Sequence, residues 1–307
     1  MRIVFFGTPA FALPSLKALH GAGEDIIGVV TQPDRKKGRH RSLSPPPVKE
    51  FALSNGMKVL QPLTIKQPSF IAELAGMRPD VIIVVAYGKI LPREVLQLPG
   101  NGCINVHASL LPKYRGAAPV QWVLLRGEDK TGVTTMLMDE GLDTGAILLQ
   151  EETPITENDN TETLGRKLSD LGAAVLTRTL EKMRNGSLRP IPQEGFPTYA
   201  PPLKKEDGRI AWTKSAEELF NFVRGMYPWP GAYCHLHGER IKIIKARAVE
   251  GSGVAGRVEQ SAEKLVIGTG NGLLSVTELQ PENKRKMSAT SFLQGRSLAQ
   301  GTMFDES

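Results

Sequence analysis

Apolar and β-branched residues gather into short runs along the first half of the chain: Ile3–Phe6, Ile26–Val30, Val59–Leu60, Val81–Val85, Ile104–Val106 and Val133–Met138. Such runs, bounded by turn residues, predict strands buried on both faces of a parallel sheet. Helical stretches fall between them. One runs from Pro9 to about Leu19, with Thr8 as the expected N-cap and Gly21 and Gly23 as its stop. Another covers Ala117 to Arg126, and a third Thr161 to Arg184, where Leu164, Leu168, Leu171 and Val175 share one face. Strand, helix and strand in succession predict an α/β domain with a Rossmann-like open sheet.

Beyond Asn185-Gly186 the pattern changes. Five prolines between 190 and 202 mark a semi-rigid linker. Ser215 with Glu218 makes a capping box for a short helix. Five short runs follow at turn spacing: Ala232–Leu236, Arg240–Ala246, Gly256–Val258, Lys264–Ile267 and Leu273–Leu279. They predict a small β-barrel of the OB type. The expected layout is therefore a first domain over 1–189, a linker over 190–206 and a barrel domain over 207–307, with a short polar tail from Gln300.

Length and charge sharpen this picture. A chain of 307 residues is long enough for two sizeable cores. Cys103 and Cys234 stand far apart with no metal-site spacing, as packing residues in a reducing cytoplasm would. No apolar run approaches the roughly 18 residues of a membrane span, so a cytoplasmic chain with no membrane partner is expected. Net charge is +6, and residues 33–49 hold six Lys or Arg against the single acid Asp34, a local net of +5. The segment from Thr31 to Lys49 is polar and proline-rich, so it reads as a long exposed loop suited to phosphate groups. Residues 206–307 carry thirteen basic and twelve acidic side chains, so a basic face there must be balanced elsewhere.

The stretch Ile104 to Gly116 carries the candidate chemistry. Asn105 and His107 lie two apart at the end of a strand, so both side chains share one face. An amide donor beside an imidazole suits acyl transfer, one steadying an oxyanion and the other moving a proton. Asp143, bracketed by Gly141 and Gly145 after the next strand, is the third candidate: a carboxylate there can approach the imidazole closely and relay protons. Tyr87 and Gly88 follow the Val81–Val85 strand at the carboxyl edge, where open α/β sheets place ligands. Each residue also has a plain structural reading: a hydrogen-bonded core histidine, a turn aspartate that caps backbone amides, a solvated basic loop. No Gly-x-Gly-x-x-Gly or P-loop pattern follows the first strand, which argues against a dinucleotide or a triphosphate as ligand. His235 and His237 share a strand face without a third ligand nearby, so no metal site is expected.

Taken together, Phe6-Gly7-Thr8-Pro9, Thr31-Gln32-Pro33-Asp34-Arg35, Asn105 and His107, Ser109-Leu110-Leu111-Pro112, Arg115 to Pro119, Leu142 to Gly145, Trp229-Pro230 and Leu279-Gln280-Pro281 closely resemble the methionyl-tRNA formyltransferases. The resemblance implies formyl transfer from 10-formyltetrahydrofolate, without a metal, to the α-amine of methionine on the initiator tRNA. It assigns catalysis to Asn105, His107 and Asp143, and the folate site to Ser109, Leu110, Leu111 and Pro112, beside Tyr87 and Gly88. It sets Arg39 against the acceptor stem, with Lys36, Lys37 and Arg41 in the same loop, and implies no obligate protein partner. Family members often show Gly-Arg-Gly where this chain has Gly38-Arg39-His40-Arg41. Two rival readings are an acceptor that is an amino sugar on a nucleotide, and a nucleic-acid-binding protein on a degenerate enzyme fold.

Overall fold

The computed structural model describes residues 1–37, 42–296 and 298–305. The chain forms two compact units that interleave along the sequence. The first takes Met1–Pro119, Lys130–Pro154 and Gly165–Ala200, and the second Val120–Asp129, Ile155–Leu164 and Pro201–Ser307.

The first unit opens with β1 (Arg2–Gly7), α1 (Leu13–Gly21) and β2 (Asp25–Val30). Thr8 does not cap the helix; its hydroxyl accepts the Gln32 amide N–H at 3.1 Å, and a 3-10 turn over Ala10–Ala12 leads into α1. The expected long loop contains two short strands and the start of a helix. β3 (Arg35–Lys37) pairs antiparallel with β4 (Ser42–Ser44), and α2 (Pro47–Ser54) follows shortly after. Pro47 has its φ preset for the first turn, and Val48 and Ala52 give the helix a buried face. Lys49 does not add to a free basic patch, because its ammonium lies 2.7 Å from the Asp34 carboxylate.

Then come β5 (Val59–Leu60), α3 (Pro68–Met77), β6 (Val81–Val85), the single turn α4 (Arg93–Leu96) and β7 (Cys103–His107), while α5 (Pro119–Leu125) from Val120 on belongs to the second unit. β8 (Lys130–Leu137), β9 (Ile147–Pro154) and α6 (Thr161–Arg184) follow. The sheet order is β5-β2-β1-β6-β7-β8-β9. β5 through β7 run parallel and β8 runs against both its neighbours, so the sheet is mixed and its far edge is antiparallel. Continuous burial along β1 and β6 explains why those strands read as unbroken apolar runs. β9 alternates between half-buried and exposed positions at the sheet edge, a weaker signal. Gly172 of α6 faces Val106 of β7, where a Cβ would come within 3.0 Å, so the helix lies close on the sheet. The chain order switches direction between β1 and β6, which opens a crevice at their carboxyl ends.

In the second unit the capping box is present: Ser215 accepts from the Glu218 amide and Glu218 reaches back, starting α7 (Ala216–Met226). β10 (Ala232–Leu236), β11 (Glu239–Val249), β12 (Val258–Gln260), β13 (Leu265–Gly268), β14 (Leu273–Pro281), β15 (Met287–Ser288) and α8 (Ala289–Gln294) complete it. The antiparallel order is β10-β11-β14-β13-β12, with β15 on β14. The expected barrel is not closed: among the described residues β12 does not pair with β10. The carboxyl-terminal segment takes that place. Val258 N–H donates to the Thr302 carbonyl and Gly301 N–H to the Val258 carbonyl, each at 2.8 Å, and Asp305 donates its N–H to the His235 carbonyl of β10 at 2.8 Å. Phe304 is buried beside Trp212, whose indole N–H donates to the Asp305 carboxylate at 3.1 Å. Residues 301–305 are thus structural, which corrects the expected polar tail. Their single buried aromatic has no periodicity to announce it.

Both cysteines are free and buried, and burial pushes the Cys103 thiol up to about 12 and the Cys234 thiol higher than usual. Among the described residues no helix is long and apolar enough to cross a membrane.

Candidate active site

The site grows from the end of β7. Parallel pairing sets Asn105 against Val84 of β6, and antiparallel pairing sets His107 against Thr134 of β8. Strand alternation puts Asn105 and His107 on one face, as the sequence predicts. Both reach the same carboxylate. The Asn105 amide lies 3.5 Å from Asp143 Oδ1, and His107 Nδ1 lies 3.7 Å from Asp143 Oδ2. The imidazole and carboxylate side chains keep 6% and 13% of their exposure, enough for a ligand edge and too little for bulk water.

The other ring nitrogen fixes the tautomer. His107 Nε2 sits 2.9 Å from the Tyr114 carbonyl oxygen, which can only accept, so Nε2 carries a proton. Nδ1 is therefore the atom that gains or loses a proton, and it faces Asp143.

Asp143 is held by several neighbours. Its backbone is left-handed, at φ 53°, a conformation that Asp tolerates better than most residues. Gly116 donates its N–H to Oδ2 at 2.8 Å. Asp139 closes the same turn by accepting from Gly141 N–H at 3.0 Å and from the Thr144 hydroxyl at 2.6 Å. A Cβ at Gly145 would run into the Leu137 carbonyl, so the turn comes off β8 too tightly for any side chain. Gly116 itself has φ 119°, and a Cβ there would meet the Ala200 carbonyl at 2.8 Å.

The segment Ser109 to Pro112 is a rigid turn. Ser109 is fully buried and its hydroxyl donates to the Lys113 carbonyl at 2.6 Å. Thr134 donates to the Ser109 carbonyl at 2.6 Å and accepts from Leu111 N–H at 3.1 Å, while Gln150 donates to the Leu111 carbonyl at 2.7 Å. Leu111 is buried; Leu110 and Pro112 are half-buried. The Tyr87 ring is buried edge-on against Phe6 at 5.1 Å, and burial pushes its phenol up to about 12. What residue 87 offers the crevice is backbone, with its carbonyl already accepting from Gln32 at 2.7 Å; Gly88, at φ 77°, is exposed. Lys36 and Lys37 lie on the backbone of β3, and Arg39 and Arg41 fall outside the described residues.

Thr134, Gln150 and Gln193 are not among the residues that the sequence singles out, although they hold the site, and Tyr114 and Gly116 stand there only as members of a longer stretch. Thr134 carried a signal, as a polar residue inside a buried strand. Gln193 carried none, because it sits among prolines.

An amide donor, an imidazole with one free valence and a carboxylate, meeting at the carboxyl edge of an α/β sheet, can stabilise an oxyanion and move one proton. The Formyl transferase family model matches residues 1–180, and the model of the Formyl transferase C-terminal domain matches residues 202–297. A methionyl-tRNA formyltransferase of Thermodesulfovibrio yellowstonii is 54% identical over 299 residues, 97% of each chain. The chain belongs to the methionyl-tRNA formyltransferase family. It is a formyl-transferring enzyme. The methionyl-tRNA formyltransferase of Pelotomaculum thermopropionicum is 51% identical over 310 residues, covering 100% of this chain and 99% of that one. The fold is shared more widely. The solved N-formyltransferase from Helicobacter canadensis, in complex with folinic acid and dTDP-3-aminofucose, superposes on this formyl transferase with a TM-score of 0.69. It covers 94% of this chain and 100% of that one at 20% identity.

Proposed function

We propose that this formyl transferase moves the formyl group of 10-formyltetrahydrofolate to the α-amine of methionine on the initiator tRNA, in the cytoplasm, for translation initiation. The observation that carries the reading is the meeting of Asn105, His107 and Asp143 within 3.7 Å, in a chain so close to methionyl-tRNA formyltransferases.

The reaction moves one proton overall. The amine loses it as its nitrogen bonds to the formyl carbon, and the folate nitrogen gains it as its bond to that carbon breaks. Attack pushes the carbonyl pair onto oxygen. The Asn105 Nδ2 contact to Asp143 is 3.5 Å long, at the edge of hydrogen-bond range, so the amide can turn to the oxyanion. Protonated at Nδ1, His107 adds positive charge beside that oxygen. Asp143 takes the amine proton, and the His107–Asp143 contact passes a proton on to the leaving nitrogen.

Folate fits the crevice beside Gly88 and the turn of Leu110 and Pro112, whose half-buried apolar faces would lie against a pterin ring while Ser109 and Leu111 keep the turn rigid. Arg39, Lys36, Lys37 and Arg41 would meet the acceptor end. The second unit supplies a second basic face, and its curled sheet is OB-like, a half-barrel completed by the chain end. Partial burial holds the Lys242 ammonium below its usual range, and the nearby cations Arg240, Lys205 and Lys286 depress it further, a sign of concentrated positive potential. Two aromatic rings stand among these charges, with Arg240 over Tyr233 at 5.8 Å and Lys286 over Tyr227 at 4.6 Å. Cations interleaved with rings suit phosphates and bases.

The test is formylation of initiator Met-tRNA set against elongator Met-tRNA, free methionine and an amino-sugar nucleotide, with 10-formyltetrahydrofolate as donor. Initiator-selective transfer is expected. Transfer to the sugar alone would overturn the acceptor, and RNA binding without transfer to any acceptor would overturn the chemistry.

A further inference from the structure

Residues 191–200 lie in the stretch between the two family-model matches, and in sequence they look like a spacer. In the first unit they form a strap across the residues that support the site. Arg115 N–H donates to the Thr198 carbonyl at 2.8 Å and Ala200 N–H to the Arg115 carbonyl at 2.7 Å. The Thr198 hydroxyl accepts from Tyr114 N–H at 2.8 Å, and Ile191 exchanges two 2.8 Å bonds with Ile147. The strap thus pins the backbone of residue 114, whose carbonyl orients His107.

Within it, Gln193 has a complete set of partners at the Asp143 turn. Its Nε2 donates to the Asp143 carbonyl at 2.8 Å and to the Gly145 carbonyl at 2.8 Å. Its Oε1 accepts from Arg115 Nη2 at 2.7 Å and from Nε at 3.2 Å. Two carbonyls on one side and a guanidinium on the other allow the amide a single orientation. Both donors clamp the turn that holds Asp143 in its left-handed conformation.

We infer that Gln193 is a positioning residue for the transfer: it fixes the Asp143 turn, and Arg115 fixes Gln193. This rests on the proposed role of Asp143 as the proton acceptor. Without the clamp the carboxylate drifts from His107 and from the incoming amine, and displacement of a reacting group by an ångström can cost about a hundredfold in rate. Substrate binding loses nothing, because the amide contacts the turn and not the crevice.

Gln193→Ala should lower kcat about ten- to a hundredfold while both KM values stay within about twofold. Gln193→Glu keeps the volume and the Arg115 partner but loses both donors, so it should be as slow; it also carries the test if the alanine variant fails to fold. Exposed Glu194→Ala is the control. The decisive readout is a cycle with Asp143→Asn, followed in single turnover: with the carboxylate already gone, adding Gln193→Ala should change the rate less than about twofold. Additive losses in that cycle, a change confined to KM, or wild-type kcat in both Gln193 variants would overturn the inference. If the wild-type enzyme itself formylates no Met-tRNA, the proposed function fails instead, so the two failures are distinct.

Discussion

The carboxyl edge of the first sheet and the outer face of the second treat polar groups in opposite ways. At the first, Asn105, His107 and Asp143 are nearly or half buried, and each neighbour is itself tied down: Tyr114 by Thr198, the Asp143 turn by Gln193, Leu111 by Thr134 and Gln150. At the second, Arg240, Lys242 and Lys286 stand on the solvent side of β11 and its surroundings, near one another and near rings. Chemistry needs fixed atoms, because an oxyanion donor a fraction of an ångström away is lost. Recognition of a polyanion needs charge density and tolerates movement. The difference teaches that substitutions at the first region should act on rate and those at the second on affinity and salt.

The largest effect should come from Asp143. Asp143→Ala removes the proposed proton acceptor and the partner of Gly116 N–H, and should cut kcat by about 10²–10⁴, read in single-turnover formylation. A loss smaller than tenfold would take the carboxylate out of the proton path. A milder break targets the second region. Arg240→Ala with Lys242→Ala should weaken tRNA binding severalfold and flatten the dependence of log affinity on log salt by about one for each phosphate no longer neutralised, with kcat unchanged. An unaltered slope would detach that face from RNA.

The smallest effect concerns the buried thiols, which separate burial from function. Cys103 titrates near 9 when unfolded and about 12 when folded, because burial opposes the thiolate. Between those values the unfolded chain binds fewer protons, so stability falls as pH rises through the window, by about 1.4 kcal/mol per unit for this group. Urea unfolding at pH 8 and 10.5 should show Cys103→Ala losing less stability with pH than the wild type; equal losses would mean that the thiol is not desolvated.

How much of this was legible in the sequence follows the same division. Buried strands such as Val81–Val85 announce themselves, since burial on both faces demands unbroken apolar residues, and the strand pair Asn105 and His107 follows from alternation alone. Asp143 could be found from its glycine brackets, whose necessity shows at Gly145. Long-range pairings leave no local trace. Gln193 reaches Asp143 across fifty residues, from a stretch where prolines suggest a spacer. Residues 301–305 bond to the second sheet and bury Phe304, yet read as polar. The pairing before Pro47 leaves no apolar pattern because β3 is wholly basic and β4 is a three-residue Ser-Leu-Ser strand, and such stretches more often mark a loop.

The most direct test of the division between fixed chemistry and tolerant recognition is His107→Ala, measured for both properties in one preparation. Single-turnover formylation of initiator Met-tRNA and equilibrium binding of the same tRNA would be read side by side. The expected result is a rate lower by about 10²–10⁴ with affinity within twofold of wild type. Near-normal turnover, or a loss of affinity that matches the loss of rate, would contradict the account.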